Sequence, residues 1–263
     1  MAVLILGASG LAGACIRRRL SSAGETVYGA CRHPGGDGGL RRLDVEEGGL
    51  ERILEEIRPH TVISCLRGDF ARQMEVHRIA AEDLSRRGGR MVYLSTANVF
   101  DGETDRSHYE TDAPWAESGY GRFKIACERM LQEKLGENLA ILRPPEIWGR
   151  NAPRLADLRA ANREGRPVRV YSGIRLNFTT DEQIAEWTAY ILEEGLHGIF
   201  HVGTRDECAH GAFRIRLAER AGLRNIRWEE DSSVGCQSVL PGRREIPEAL
   251  QATVDMVLRQ VAG

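Results

Sequence analysis

The chain has 263 residues, of which 42% are hydrophobic and 28% charged, and its 36 Lys+Arg against 38 Asp+Glu leave a formal net charge of -2. These values exclude collagen-like, low-complexity and disordered chains, and the near-balance of charge argues against nucleic acid as the partner. No apolar run approaches the roughly 20 residues of a membrane span.

The N-terminus lacks the basic segment and long apolar stretch of a signal peptide, so a cytoplasmic protein without a membrane partner is expected. Six cysteines stand at 15, 31, 65, 127, 208 and 236. None form Cys-x-x-Cys, so reduced thiols are expected rather than disulfides, and no metal.

The apolar run Ala2–Leu6 reads as a first strand. It enters Gly7-Ala8-Ser9-Gly10-Leu11-Ala12-Gly13, and an amphipathic helix over Leu11–Ser22 follows. Glycines at a strand-to-helix turn let the backbone approach a pyrophosphate, and the helix N-terminus favours its charge. A ligand-free glycine turn is the plainer alternative, but strand, turn and helix in sequence favour a nucleotide. Gly7, Ser9, Gly10, Leu11 and Gly13 are therefore candidate cofactor residues. The second strand, Thr26–Cys31, ends in Arg32-His33 with no acid for ribose hydroxyls. Arg32 suits a 2′-phosphate, which favours NADP(H) and leaves NAD(H) open, although a solvated Arg is a serious rival reading. The glycine-rich stretch from Pro34 to Gly39 is expected to be a flexible loop.

Further strands are expected at Thr61–Cys65, Arg90–Ser95 and Leu139–Leu142, and helices at Leu50–Arg58, Phe70–Arg87 and Gly119–Leu135. Nearly continuous apolar strands alternating with helices predict an α/β fold, a doubly wound parallel Rossmann sheet over residues 1–145. After Arg143-Pro144-Pro145 the rhythm changes. Helices are expected at Ala152–Glu164, Glu182–Glu194, Glu207–Ala221 and Pro247–Val261, with short strands at Pro167–Tyr171 and Gly198–Val202. Residues 146–263 thus read as a smaller mixed α/β substrate lobe, interleaved with the main sheet.

The strand ending at Ser95 is followed by Thr96, and Tyr120-Gly121-Arg122-Phe123-Lys124 opens the next helix. Tyr and Lys at i and i+4 share a helix face. A nearby ammonium favours the phenolate, and a strand-end hydroxyl at Thr96 suits a substrate carbonyl oxygen. An ordinary amphipathic helix would explain Tyr-x-x-x-Lys alone. Only Lys124 and Lys134 among the 36 basic residues are lysines, however, so a Lys at that spacing points to function. His197 and His201 flank a strand-like run and are read as ordinary histidines. Trp148, Tyr171, Phe178 and Trp187 are read chiefly as packing residues, with Trp148 the best pocket candidate. Arg150, Arg154 and Arg175 are candidates for a diphosphate.

With Asp44-Val45, Ser95-Thr96 through Val99-Phe100-Asp101-Gly102, Leu142-Arg143-Pro144, Asn177-Phe178-Thr179 and Phe200-His201-Val202-Gly203, these motifs resemble the extended short-chain dehydrogenase/reductases, and most closely the dTDP-4-dehydrorhamnose reductase group. The resemblance implies a catalytic set of Thr96, Tyr120 and Lys124. It implies Asp44 and Val45 beside the adenine, Cys65, Leu66 and Arg67 near ribose and pyrophosphate, and Pro145 beside the nicotinamide. It further implies an NADP(H)-dependent oxidoreductase acting on a small-molecule carbonyl substrate, a nucleotide-linked 4-keto sugar, and is compatible with a homodimer. The chain departs from the pattern at Ala97, where an acid is usual, at Arg67, where a small residue is usual, and at His77 and Phe178. An epimerase, a dehydratase, a reductase of another carbonyl and a non-catalytic NADP-binding regulatory subunit are the alternatives. The intact Thr96, Tyr120 and Lys124 argue against the last.

Overall fold

A computed structural model describes residues 2–35 and 39–263. Met1, and Gly36, Asp37 and Gly38 of the expected flexible loop, lie outside the described residues. In chain order the first half contains β1 (Ala2–Leu6), α1 (Leu11–Ser22), β2 (Thr26–Cys31), β3 (Leu40–Arg42), α2 (Leu50–Ile57), β4 (Thr61–Ser64), α3 (Phe70–Arg87), β5 (Arg90–Leu94), α4 (Gly119–Leu135) and β6 (Leu139–Arg143). The second half contains β7 (Glu146–Trp148), α5 (Pro153–Glu164), β8 (Pro167–Leu176), β9 (Phe178–Thr180), α6 (Asp181–Glu193), β10 (Gly198–His201), β11 (Cys208–Ala209), α7 (His210–Arg220), β12 (Arg227–Cys236) and α8 (Val254–Ala262).

Seven strands form a sheet in the order β10-β6-β5-β4-β1-β2-β3, and every pairing in it is parallel. This is the expected doubly wound α/β sheet. All seven C-termini therefore open on one edge, where ligands of such sheets bind. Successive residues of the strands feed opposite cores. Leu4, Leu6, Val62, Met91, Tyr93 and Ile141 pack with α2, α3 and α4. Val3, Ile5, Ile63, Val92, Ala140 and Leu142 pack with α1 and α6. Burial on both faces explains why the strands read as unbroken apolar runs. The return of β10 to β6, in register Phe200↔Leu142 and His201↔Arg143, carries the second half of the chain back into the main sheet.

A separate core gathers Trp148, Leu155, Leu158, Phe178, Phe213, Leu217 and Val257 beneath a three-stranded sheet ordered β11-β8-β12. Three expectations need correction here. The strand expected at Pro167–Tyr171 runs on to Leu176, because β12 pairs along it through a bulge between Asp231 and Val234. The helix expected from Glu207 starts at His210, because Cys208 and Ala209 are taken by β8. The helix expected over Pro247–Val261 is a single 3-10 turn, Glu248–Leu250, followed by an extended run and then α8. Partners outside the segment claim that run: Ala252 O accepts from Arg205 N at 3.0 Å, Leu250 O from Trp187 Nε1 at 2.9 Å, and Asp206 Oδ1 from Val254 N at 2.8 Å.

At Gly7 the backbone has φ +79°, and a Cβ would stand 2.7 Å from Cys65 O. Gly24 has a similar φ of +85° but open space around it. Gly7→Ala is therefore expected to lower unfolding free energy by about 2–3 kcal/mol in urea titration, from left-handed strain plus collision. Gly24→Ala should cost only about 1 kcal/mol, the strain alone. Equal losses would mean that the Gly7–Cys65 approach is not a packing constraint.

Candidate functional site

The glycine turn sits where β1 ends. Gly7 N and Ala8 N donate to Ala30 O at 2.8 and 3.1 Å, and Gly10 N donates to Gly7 O at 3.0 Å. A Cβ on Gly13 would lie 2.3 Å from Gly7 O, so glycine there lets α1 close onto the turn. Gly10 caps α1 without a side-chain acceptor, and the first turn carries no acid. The N–H groups of that turn are thus left for a ligand, and Ser9 and Leu11 flank them. A cradle that a Cβ would fill, at an uncapped helix N-terminus, fits a dinucleotide pyrophosphate.

Beside it, Leu43 N donates to Cys31 O at 2.9 Å and brings Asp44 next to Arg32. Arg32 Nε lies 3.3 Å from Asp44 Oδ2, with the guanidinium half exposed. Arg32 is thus partly engaged before any phosphate arrives. Val45 is buried in the core with Leu43, and its side chain lies against Gly68 in the loop past β4. Past β4, Cys65 and Leu66 pack against the turn at Gly7. Burial pushes the Cys65 thiol up to about 12, which keeps it protonated. Arg67 is exposed and has no ion pair among the described residues.

Thr96 is buried, with its hydroxyl 3.1 Å from Asn98 Oδ1. Tyr120 stands in the first turn of α4, partly open to solvent and tilted against Phe70 at 6.0 Å. Its phenol is raised above the usual value by what burial it has, while the Thr96 hydroxyl and the charge of Arg67 pull it back. Lys124, on the same face one turn later, is buried and donates to Leu94 O at 2.9 Å. Its ammonium lies 4.7 Å from the Tyr93 ring centroid but 5.9 Å from that of Tyr120. Arg67, a residue at which the chain departs from the family pattern, is a cation that pulls down the phenol. Burial lowers Lys124 itself to about 8, and Arg67 pushes the same way against Cys127, Cys65 and Glu128.

Behind this set lies a network that sequence reading missed. Ser95 Oγ donates to Glu128 Oε1 at 2.5 Å, and Arg143 donates to both oxygens of Glu128, from Nε at 3.0 Å and from one terminal nitrogen at 2.6 Å. All three side chains are buried. Glu128 follows Lys124 by one turn and Ser95 precedes Thr96, so that spacing was a visible signal, but the pairing with Arg143 is tertiary. His77 is also buried, with Nε2 2.7 Å from Ser64 Oγ and its ring edge-on to Tyr93.

The remaining candidates lie in the following surroundings. Trp148 is fully buried against Phe213, so the pocket expectation for it is corrected. Arg154 pairs with Glu146 at 2.7 Å, Arg175 with Glu207 at 3.6 Å, and Arg150 donates to Gln260 O at 3.2 Å. Pro145 presses on Gly203, whose Cβ would lie 2.9 Å from Pro145 Cγ. No group of three or more metal-binding side chains is found among the described residues, and no helix there is long and apolar enough to cross a membrane.

Residues 1–241 match the family model described as RmlD substrate binding domain. Among similar proteins, the probable low-salt glycan biosynthesis reductase Agl14 of Haloferax volcanii is 26% identical over 248 residues, covering 84% of this chain and 81% of that protein. The dTDP-4-keto-6-deoxy-D-glucose reductase of Streptomyces niveus is 25% identical over 253 residues, covering 85% and 81%. The crystal structure of dTDP-4-dehydrorhamnose reductase from Bacillus anthracis, in complex with NADP, superposes with a TM-score of 0.79 at 17% identity and covers 98% of both chains.

Two buried imidazoles near the site carry a pH signature. Burial holds His77 and His201 at about 3, below their usual 6.5, and Lys124 and Arg143 respectively add to the effect. Below about pH 6.5 the unfolded chain takes up these protons and the native chain does not, so stability falls with pH down to the folded value. In urea titrations between pH 6 and 5, His201→Asn should flatten the decline by about 1 kcal/mol per pH unit relative to wild type. An unchanged slope would show that His201 protonates within the native protein.

Proposed function

We propose, starting from the fact that the chain belongs to the RmlD substrate binding domain family, that it is an NADP(H)-dependent oxidoreductase reducing the carbonyl of a nucleotide-linked 4-keto sugar. The observation that carries this reading is Tyr120 beside Thr96 at the sheet edge, with Lys124 anchored beneath on Leu94. The names of the Haloferax and Streptomyces relatives support reduction, and that of the second supports the sugar. The NADP in the Bacillus anthracis neighbour supports the cofactor. Residues 1–145 carry the cofactor, and 146–263 supply the substrate lobe.

Gly7, Gly10 and Gly13, with Ser9 and Leu11, hold the pyrophosphate on the N-terminus of α1. Arg32 takes the 2′-phosphate and loosens its pairing with Asp44 to do so. Asp44 and the backbone of Val45 face the adenine, Cys65, Leu66 and Arg67 the ribose and pyrophosphate, and Pro145 the nicotinamide. When bound, the cofactor supplies a hydride to the carbonyl carbon. The chain's own residues do the proton work. Thr96 donates to the carbonyl oxygen and orients it. Tyr120 gives that oxygen its proton, so carbonyl, hydride and proton together make the alcohol. Arg67 lowers the cost of the phenolate left behind. Lys124, fixed by Leu94 O, holds the nicotinamide ribose and is compact enough to stay stripped of water beneath the phenol.

Tyr120→Phe keeps the ring but removes the proton. Turnover on nucleotide-linked 4-keto sugars should fall by about 100-fold or more while NADPH affinity, read by nicotinamide fluorescence, survives. Lys124→Arg should fall comparably, because a planar guanidinium does not fit the slot. Retained activity in both variants contradicts the assignment. A wild-type protein that binds NADPH but turns over no carbonyl contradicts the reductase reading and fits a non-catalytic NADP-binding subunit.

For the cofactor, NADPH should bind more tightly than NADH. Arg32→Ala should narrow the gap by about 1 kcal/mol, or roughly five-fold, since the guanidinium is half exposed and screened. Equal affinities in the wild type would contradict the preference.

A further inference from the structure

Beside the apolar packing of Val99 and Phe100 on Ile125 of α4, the turn after Thr96 meets the helix that carries Tyr120 through two closer contacts. Asp101 follows the 3-10 turn Ala97–Phe100 and turns its carboxylate onto the start of α4. Oδ1 accepts from Glu117 N at 2.8 Å and from Ser118 N at 3.1 Å, and Oδ2 accepts from the Ser118 hydroxyl. Ser118 is the cap of α4, and its Oγ accepts from Gly121 N at 2.9 Å. One carboxylate thus links the end of the Thr96 turn to the cap of the Tyr120 helix.

The second contact is steric. A Cβ on Gly121 would stand 2.3 Å from Asn98 O, 2.6 Å from Ala116 Cβ and 3.1 Å from Asp101 Oδ2. The first of these is a backbone atom, so a side chain at 121 would force the turn and the helix apart. Gly121 adjoins Tyr120. Asn98 lies two residues past Thr96 and holds it from both sides, with its N donating to Thr96 Oγ1 at 3.2 Å and its Oδ1 accepting from it at 3.1 Å. Val99 and Phe100 of the turn pack with Ala116, Ile125 of α4 and Val239, so the turn does not depend on Asp101 alone to form, and Asp101 and Gly121 act on top of that apolar contact. A serine cap alone would satisfy the helix. The aspartate and the glycine therefore set a distance between two elements.

We propose that Asp101 and Gly121 are positioning residues of the reaction centre, seating the first turn of α4 on the Ala97–Phe100 turn so that Tyr120 is held on the same side of the site as Thr96. The inference rests on the catalytic reading of Thr96 and Tyr120 given above. Its first readout needs no substrate, because the Thr96 hydroxyl is one of the two influences that pull down the Tyr120 phenol.

The test titrates the tyrosines by carbon-13 NMR at the ring carbon bearing oxygen, with the Tyr120 signal identified by its loss in Tyr120→Phe. In Gly121→Ala and Asp101→Ala, the phenol should titrate about half a pH unit or more higher than in wild type. Turnover should fall about 10-fold or more with NADPH affinity unchanged. Asp101→Asn keeps an acceptor for the two backbone N–H groups and should recover part of both losses. Should Gly121→Ala fail to fold, Asp101→Ala and Ser118→Ala carry the same expectations. Folded variants with wild-type Tyr120 titration and turnover overturn the proposal. A wild type without turnover on any 4-keto sugar, but with the titration shift intact, overturns the functional reading and leaves the positioning role standing.

Discussion

Glu128 and Arg143 form an ion pair sealed from water, with side chains 3% and 1% exposed. Stripping two charges of water costs several kcal/mol per ion, so such a pair adds little net stability over apolar packing. What it fixes is geometry. Glu128 sits on α4 one turn after Lys124, Arg143 ends β6, and Ser95 ends β5 just before Thr96. The bidentate bond and the serine bond together join three elements whose ends carry Thr96, Lys124 and Pro145. Removing any one partner would leave a buried charge or donor unpaired, which ties the reaction centre to the integrity of the core.

Electrostatics at the sheet edge follows from that seating. Lys124 lies where water is excluded, with Leu94 O accepting from its ammonium and the face of Tyr93 beside it. That is why its ammonium drops to about 8, and why a chain so dominated by arginine uses lysine here: the slot suits a compact point charge. Tyr120, less buried, faces outward between Thr96 and Arg67. Two cations thus divide the work by depth, with Lys124 beneath the tyrosine and Arg67 in the loop beyond β4.

Much of the first half was legible in the sequence because its strands are buried on both faces and its helices have marked ends. The bounds of β1, α1, β2, α3 and α4 follow from apolar runs ending at glycine and from caps such as Asp69 and Ser118. The second half was less legible. The strand β12 reads Arg-Trp-Glu-Glu-Asp-Ser-Ser-Val-Gly-Cys, mostly exposed, and carries no apolar pattern; its pairing with β8 defines it. The segment at 251–253 had a helical composition overridden by bonds to Arg205 and Asp206. Within the site, Thr96, Tyr120 and Lys124 announced themselves by spacing. Arg143 and Asp101 did not, because their meaning lies in partners 15 and 16 residues away.

The central claim is that Tyr120 and Thr96 present a sugar carbonyl to a hydride from NADPH. The most direct measurement uses NADPH deuterated on the transferred position of the nicotinamide together with a nucleotide-linked 4-keto sugar, with mass spectrometry of the product. The account predicts one deuterium bound to carbon 4 of the product sugar, formed at a rate that collapses in Tyr120→Phe. A product without deuterium, or no product from a protein shown to hold NADPH, would contradict it.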